Sequence, residues 1–332
     1  MKKVIALVLA LVMCLCLFAA CGNSDKNFEA TLKIGYAGND DLATSKSMVA
    51  WAAAVKEATE GRIVIETYSS GQLGTGVEMI EAVDLGTLDM SLADYSLMET
   101  YLPEITLLGL PCIIADYDHM WELYDGEVGQ ELNARLEEAC NIKILDTIYN
   151  GFRYIGSVRA LNTLEDCKGL IIRSPESDIY VNTFTLYGMN PTPLPLGDVY
   201  SALQTGVVEG VDSPIANFTA MSFGEVAPFI LKSRHLCSAL PVVINQDVWD
   251  KIPEGDQEII MSTLETAVAD CNKAVLAEED AVFAELESIG VTFTEFSADE
   301  RALLVEAFEA YWGEYAAKND CQDLLDKVMA TM

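Results

Sequence analysis

Histidine is nearly missing from this 332-residue chain: His119 and His235 are the two that occur. Neither stands beside a Ser or Cys in a nucleophile motif, and no H-E-x-x-H run exists. Triad and zinc-hydrolase chemistry therefore have no support in the sequence. Positive charge is scarce as well: 20 Lys and Arg face 52 Asp and Glu, a formal charge of −32. A surface so acidic argues against nucleic acid or an anionic lipid face as the main partner. The glycines between Gly71 and Gly76 lack the Lys of a phosphate cradle and the last Gly of a dinucleotide loop, so they read as a turn. Repeats and low-complexity stalks are missing, which speaks against a structural adhesin. Nine Cys are present, yet among the six from Cys112 onward no close pair is spaced as a metal or redox motif. The chain is read as a non-enzyme with no cofactor and no metal.

What is present is a large apolar fraction. Hydrophobic residues make up 51% of the chain and charged ones 22%, enough to bury a sizeable core, and the length suits two lobes. Met1-Lys2-Lys3 is a basic start, Val4 to Ala20 is uncharged, and Leu17-Phe18-Ala19-Ala20-Cys21-Gly22 follows the pattern of a secretory signal with small residues before a Cys. This resembles a bacterial lipobox, with Phe18 in place of the usual Leu, and implies that Cys21 is lipidated. An uncleaved anchor or plain secretion is the alternative. Residues 1–20 are assigned to the signal and 21–28 to the lipidated Cys and a polar tether. Loss of Lys2 and Lys3 would leave 18 basic residues against 52 acids, or −34, a body repelled by a negative membrane and sensibly held there by lipid. The six Cys from Cys112 onward (Cys112, Cys140, Cys167, Cys237, Cys271, Cys321) read as buried hydrophobes or as one or two disulfides.

Along the chain, alternating Leu32, Ile34 and Tyr36 predict a strand, about Lys46 to Thr59 a helix stopped by Gly61, and Ile63 to Tyr68 a second strand. A further helix stops at Gly86, and Leu88 to Ala93 follows as a strand. Such alternation predicts an α/β fold with a mostly parallel sheet. Ala82-Val83-Asp84-Leu85-Gly86-Thr87-Leu88-Asp89 has a counterpart 120 residues on, Ala202-Leu203-Gln204-Thr205-Gly206-Val207-Val208-Glu209. The pair suggests two similar lobes with a ligand cleft between them. Apolar spacing from about Asp256 to Ile289 predicts one helix of roughly 50 Å, long enough to bridge both lobes. A strand near Val291 to Phe293 and helices at 298–317 and 321–329 complete the reading. The lobes are expected as 29–150 with about 239–278, and 151–238 with about 279–332.

Within this acidic chain, Arg173 ends the apolar run Gly169-Leu170-Ile171-Ile172 and precedes Ser174-Pro175. Pro closes the strand, so Arg173 sits at its carboxyl end, where α/β sheets bind ligands. It is either an internal salt-bridge partner or a fork for a carboxylate or phosphate.

The run Cys167 to Pro175, then Gly188-Met189-Asn190-Pro191-Thr192-Pro193, then Asp198 to Gly210, resembles the solute-binding proteins of TRAP transporters, the DctP family. Tyr68 to Leu73, Glu78-Met79-Ile80-Glu81 and Tyr149-Asn150-Gly151-Phe152-Arg153 resemble further pieces of it, in order, over essentially the whole mature chain. The resemblance implies a periplasmic-binding-protein-like receptor that closes on a small organic acid and delivers it to ion-gradient-driven permease subunits. It implies that Arg173 forks the ligand carboxylate and that Arg153 assists, or else holds the structure together. A solute-binding lipoprotein of an ATP-driven importer or a sensor is the runner-up. Two departures bear on the ligand. Where the family places an acid, Asn and Pro, this chain reads Asp212-Ser213-Pro214, so the second carboxylate contact from Ser213 is weaker or filled by water. Leu196 stands where an aromatic is common. By the same resemblance the loop Tyr36 to Asp40, with Asn39, and the strand end at Asp94 face the cleft, though Asp94 has the alternative of a capping carboxylate. Asp94 and Asn39 tilt the expectation toward a hydroxylated acid such as a sugar acid. His235 is expected to be a satisfied structural residue, and the receptor to be monomeric.

Overall fold

Leu32, Ile34 and Tyr36 turn inward from β1 (Ala30–Tyr36), while Thr31 and Lys33 stay exposed. In this computed structural model, which describes residues 27–332, β1 pairs in parallel with β2 (Ile63–Tyr68) on one side and β3 (Met90–Leu92) on the other. The signal, Cys21 and most of the tether lie outside the described residues.

The centre of the sheet is antiparallel. β9 (Cys237–Asn245) runs against β3 and also against β4 (Ile142–Ser157), a strand of 16 residues. β4 serves two sets of partners: residues up to Phe152 pair with β9, and residues from Arg153 to Ser157 pair with β7 (Gly210–Pro214) and β8 (Phe229–Leu231). The change falls at a register slip between Tyr149 and Gly151, where Gly151 takes a φ of 96° that favours glycine. Past β7 the sheet is parallel again, through β5 (Ile171–Ser174) to β6 (Asn190–Pro193). Pro191 and Pro193 are tolerated there because β6 is an edge strand. β10 (Thr292–Thr294) joins β8 in parallel. The mostly parallel sheet read from the sequence is thus corrected to a mixed one, since two long antiparallel strands pass through its middle.

Among the described residues the α-helices longer than one turn are α1 (Ala43–Ala58), α2 (Gly76–Asp84), α3 (Tyr117–Tyr124), α4 (Glu127–Ala139), α5 (Asp178–Leu186), α6 (Val199–Gln204), α7 (Ile215–Ala220), α8 (Glu254–Ser288), α9 (Ala298–Lys318) and α10 (Gln322–Met329). The sequence repeat is a structural repeat. α2 and α6 each end on a left-handed glycine, Gly86 at φ 69° and Gly206 at φ 72°. In both, the next residue donates to the carbonyl four positions before that glycine: Thr87 to Ala82 and Val207 to Ala202, each at 2.9 Å.

α8 has 35 residues, and its buried side chains fall into two cores. Ile260, Leu264, Val268 and Cys271 join the core of β1–β3 and α1, Leu286 joins that of the second half, and Val275 touches both. Trp51 Nε1 donates to Ile260 O, and Asn272 Oδ1 accepts from Tyr149 N at 2.9 Å. The carboxyl-terminal helices return to the first half: Trp312 Nε1 donates to Pro111 O, and Lys327 pairs with Glu127 and Glu131. All six described cysteines are free thiols, four of them buried. No helix among the described residues is long and apolar enough to cross a membrane.

Candidate functional site

Between the two parts of the sheet lies a cleft of about 890 Å³, counting space open to solvent. Its walls come from the ends of β1 and β3, the first turns of α1 and α2, the middle of β4, and the ends of β5 and β7. Tyr36, Asp94, Arg153, Arg173, Leu196 and Ser213 line it.

Arg173 is buried where β5 stops. Its Nε donates to Leu194 O at 2.9 Å, which fixes the side chain. That is its one hydrogen bond among the described residues, so both terminal nitrogens have no protein partner. Burial, and next the like charge of Arg153, pull its pKa down to about 10. It remains cationic at neutral pH.

Arg153 is committed elsewhere. Its Nε donates to Asp212 Oδ2 at 2.8 Å, one terminal nitrogen makes a short contact with Asp212 Oδ1, and its guanidinium carbon lies 4.8 Å from the Tyr180 ring centre. Asp212 is fully buried. Burial alone would raise its pKa, but Arg153 and then His235 outweigh that and hold it well below the usual carboxylate range. His235 Nε2 sits 2.9 Å from Asp212 Oδ2, and its Nδ1 lies 2.7 Å from Ser233 Oγ. Because Asp212 only accepts, Nε2 carries the proton, and Nδ1 accepts from the Ser233 hydroxyl. Burial lowers the His235 pKa despite the neighbouring carboxylate, so the ring is neutral.

Asp94 is occupied on both oxygens. Oδ1 accepts from Ser96 N at 3.0 Å, capping the turn Tyr95–Met98, and Oδ2 accepts from the Tyr180 hydroxyl at 3.0 Å. Asn39 is not among the lining residues; its Nδ2 reaches across to donate to Ala220 O at the end of α7. Ser213 Oγ is buried and accepts from Asn217 Nδ2 at 2.7 Å. On the facing wall, α1 begins after Leu42 without a side-chain cap, and Ser45 Oγ in its first turn is buried and unpartnered. Leu42, Met79, Leu92, Leu97 and Leu240 add apolar surface, beside Glu176, Asn150, Thr44 and Ser238.

Sequence reasoning missed Asp212, His235's partnership with it, and Asn217. An acid inside a strand of otherwise buried residues is a signal for the first, since such a charge needs a partner.

Arg173 thus brings to the cleft a buried guanidinium whose terminal nitrogens have no partner among the described residues, an arrangement suited to an anion. The model of the bacterial extracellular solute-binding proteins, family 7 (DctP), matches residues 35–319, and the chain belongs to that family. Its curated relatives include the sialic acid-binding periplasmic protein of Vibrio cholerae, 30% identical over 293 residues, 87% of this chain and 91% of that protein. Among solved structures, a TRAP periplasmic solute-binding protein of Sulfurospirillum deleyianum with bound succinate superposes with a TM-score of 0.86 at 27% identity, covering 92% of this chain and all of that one. A Roseobacter denitrificans counterpart with bound L-galactonate gives 0.83 at 27% identity, over 92% and 99% of the two chains. The fold is the two-lobed α/β architecture of these proteins.

Proposed function

We propose that this chain is the extracytoplasmic receptor of a TRAP transporter, closing on the carboxylate of a small organic acid and presenting it to an ion-gradient-driven permease. Arg173 carries the reading. It is cationic, buried and open to the cleft through both terminal nitrogens, whereas Arg153, Asp212 and Asp94 are already partnered. A guanidinium fork matches a carboxylate in shape as well as charge. Relatives hold succinate and L-galactonate, so the ligand class is small organic acids, sugar acids among them. The first-turn N–H groups of α1 and the Ser45 hydroxyl offer donors to the ligand's other end. His235 has both ring nitrogens engaged, and binding and release without a chemical step is the proposed activity. Gly151 in β4, the start of β9 and the middle of α8 serve as the crossings in this reading, with lobes of 29–150 with about 239–278 and 151–238 with about 279–332; α9 and α10 of the second also bond to Pro111, Glu127 and Glu131 of the first. The receptor is proposed to act as a monomer, tethered through lipidated Cys21.

A thermal-shift panel of succinate, orotate, L-gulonate and D-galacturonate tests the ligand class, because a ligand of the folded state alone raises the unfolding midpoint. Calorimetry on the tightest of them tests the anchor. Hydrogen bonds to a charged group contribute roughly 1.5–3 kcal/mol each, so Arg173→Ala is expected to lose more than tenfold in affinity. Arg173→Lys should fall between, keeping charge but losing the fork. Unchanged binding by Arg173→Ala would sink the assignment. Cys21→Ser should be released from membranes on fractionation; retention would remove the lipid anchor.

A further inference from the structure

We propose that Asn217 is the second side chain that binds the ligand carboxylate, supplying from α7 the amide that position 213 does not have. This rests on the cleft being a carboxylate site. Asn217 lines the cleft together with Arg173 and is 6% exposed. Its Nδ2 donates to Ser213 Oγ at 2.7 Å, while its Oδ1 is buried without a partner among the described residues. A buried acceptor left unpaired is costly, so such atoms in native proteins call for an explanation.

The explanation lies in the amide's symmetry of shape. Turning it about its last bond exchanges Nδ2 and Oδ1 and moves nothing else. In the turned state Oδ1 accepts the Ser213 hydroxyl proton, for which no acceptor is found among the described residues, so the Ser213 contact survives. The two N–H groups then point where the unpaired oxygen pointed. A carboxylate only accepts hydrogen bonds and therefore selects this state. The chain geometry makes the pairing local: Pro214 ends β7, α7 starts at Ile215, and residue 217 comes round beside 213. Ser213, too short to reach the ligand as Asn would, instead orients the residue that does.

Calorimetry with the tightest-binding acid of the panel decides the matter. Asn217→Ala is expected to bind about tenfold more weakly. Asn217→Asp, nearly the same shape and so a fold-neutral control, should bind more weakly still, because it sets a carboxylate against a carboxylate. The double change Ser213→Asn with Asn217→Ala should regain most of the lost affinity, by returning an amide to the strand end. Unfolding midpoints confirm that each variant is folded. If Asn217→Ala stays within twofold of wild type while Arg173→Ala loses binding, the Asn217 role is wrong and the carboxylate reading stands. Asn217→Asp binding as well as Asn217→Ala would also overturn it. If no acid of the panel binds, or Arg173→Ala is neutral, the underlying reading fails and this inference goes with it.

Discussion

The two buried arginines of the cleft differ in their bonding because one buried acid, Asp212, hydrogen-bonds only one of them. Asp212 takes all three side-chain hydrogen bonds of Arg153, one of them at its backbone carbonyl, and the one from His235, whereas Arg173 is held only by Leu194 O among the described residues. The place of Arg173 at the end of β5 was legible, since Pro175 closes the apolar run that carries it. The division of labour was not, because Arg153 and Asp212 are 59 residues apart and meet only through the β4–β7 register. Asp212→Ala is expected to destabilise the protein by about 3–5 kcal/mol in urea unfolding, since Arg153 would stay buried without its counter-charge. The pH dependence has a definite sign. Asp212 is depressed in the folded state, so its contribution is present above the ordinary carboxylate range and is lost only as pH falls well below it. The wild type should therefore lose its margin over Asp212→Ala only in strong acid.

Helices were the most readable elements. Apolar spacing placed the long one at about 256–289, against the observed Glu254–Ser288, and the paired glycine stops at Gly86 and Gly206 marked a true repeat. β4 escaped notice as a single strand because Tyr149-Asn150-Gly151 looks like a turn; the glycine instead absorbs a slip in the ladder. Gly156, five residues on, sets how closely α7 lies on the sheet. A Cβ there would come within 2.3 Å of the Phe218 ring, on the helix that carries Asn217 into the cleft. Gly156→Ala should cost about 1–3 kcal/mol in stability through overpacking. It should also weaken binding of the panel acid, because α7 must retreat; calorimetry and thermal unfolding together check both effects.

At the scale of the whole molecule, the two halves are fastened across the cleft by hydrogen bonds that sequence spacing does not reveal. Asn39 donates to Ala220 O at 2.6 Å, Tyr180 to Asp94, and Ser177 and Asp178 to Glu99. Asn39 was expected near the ligand; its amide reaches Ala220 on the other half. Closure and binding are linked, because apparent affinity falls with the fraction of molecules in the competent state. A typical hydrogen bond contributes about 0.5–1.5 kcal/mol net, so Asn39→Ala should raise the apparent Kd about two- to tenfold without touching the acid. Small-angle scattering of the unliganded variant should show a larger radius of gyration than wild type, and equal radii would count against the fastening role.

The shared strand also decides how this protein can be divided. A cut at Gly151 would leave β9 in one fragment and both of its neighbours, β3 and the first part of β4, in the other, so each fragment would carry a raw strand edge open to pairing with other chains. Neither half is a transferable module. Any chimera that exchanges ligand preference with a relative has to leave β4, β9 and α8 intact and graft only the loops and short helices that line the cleft.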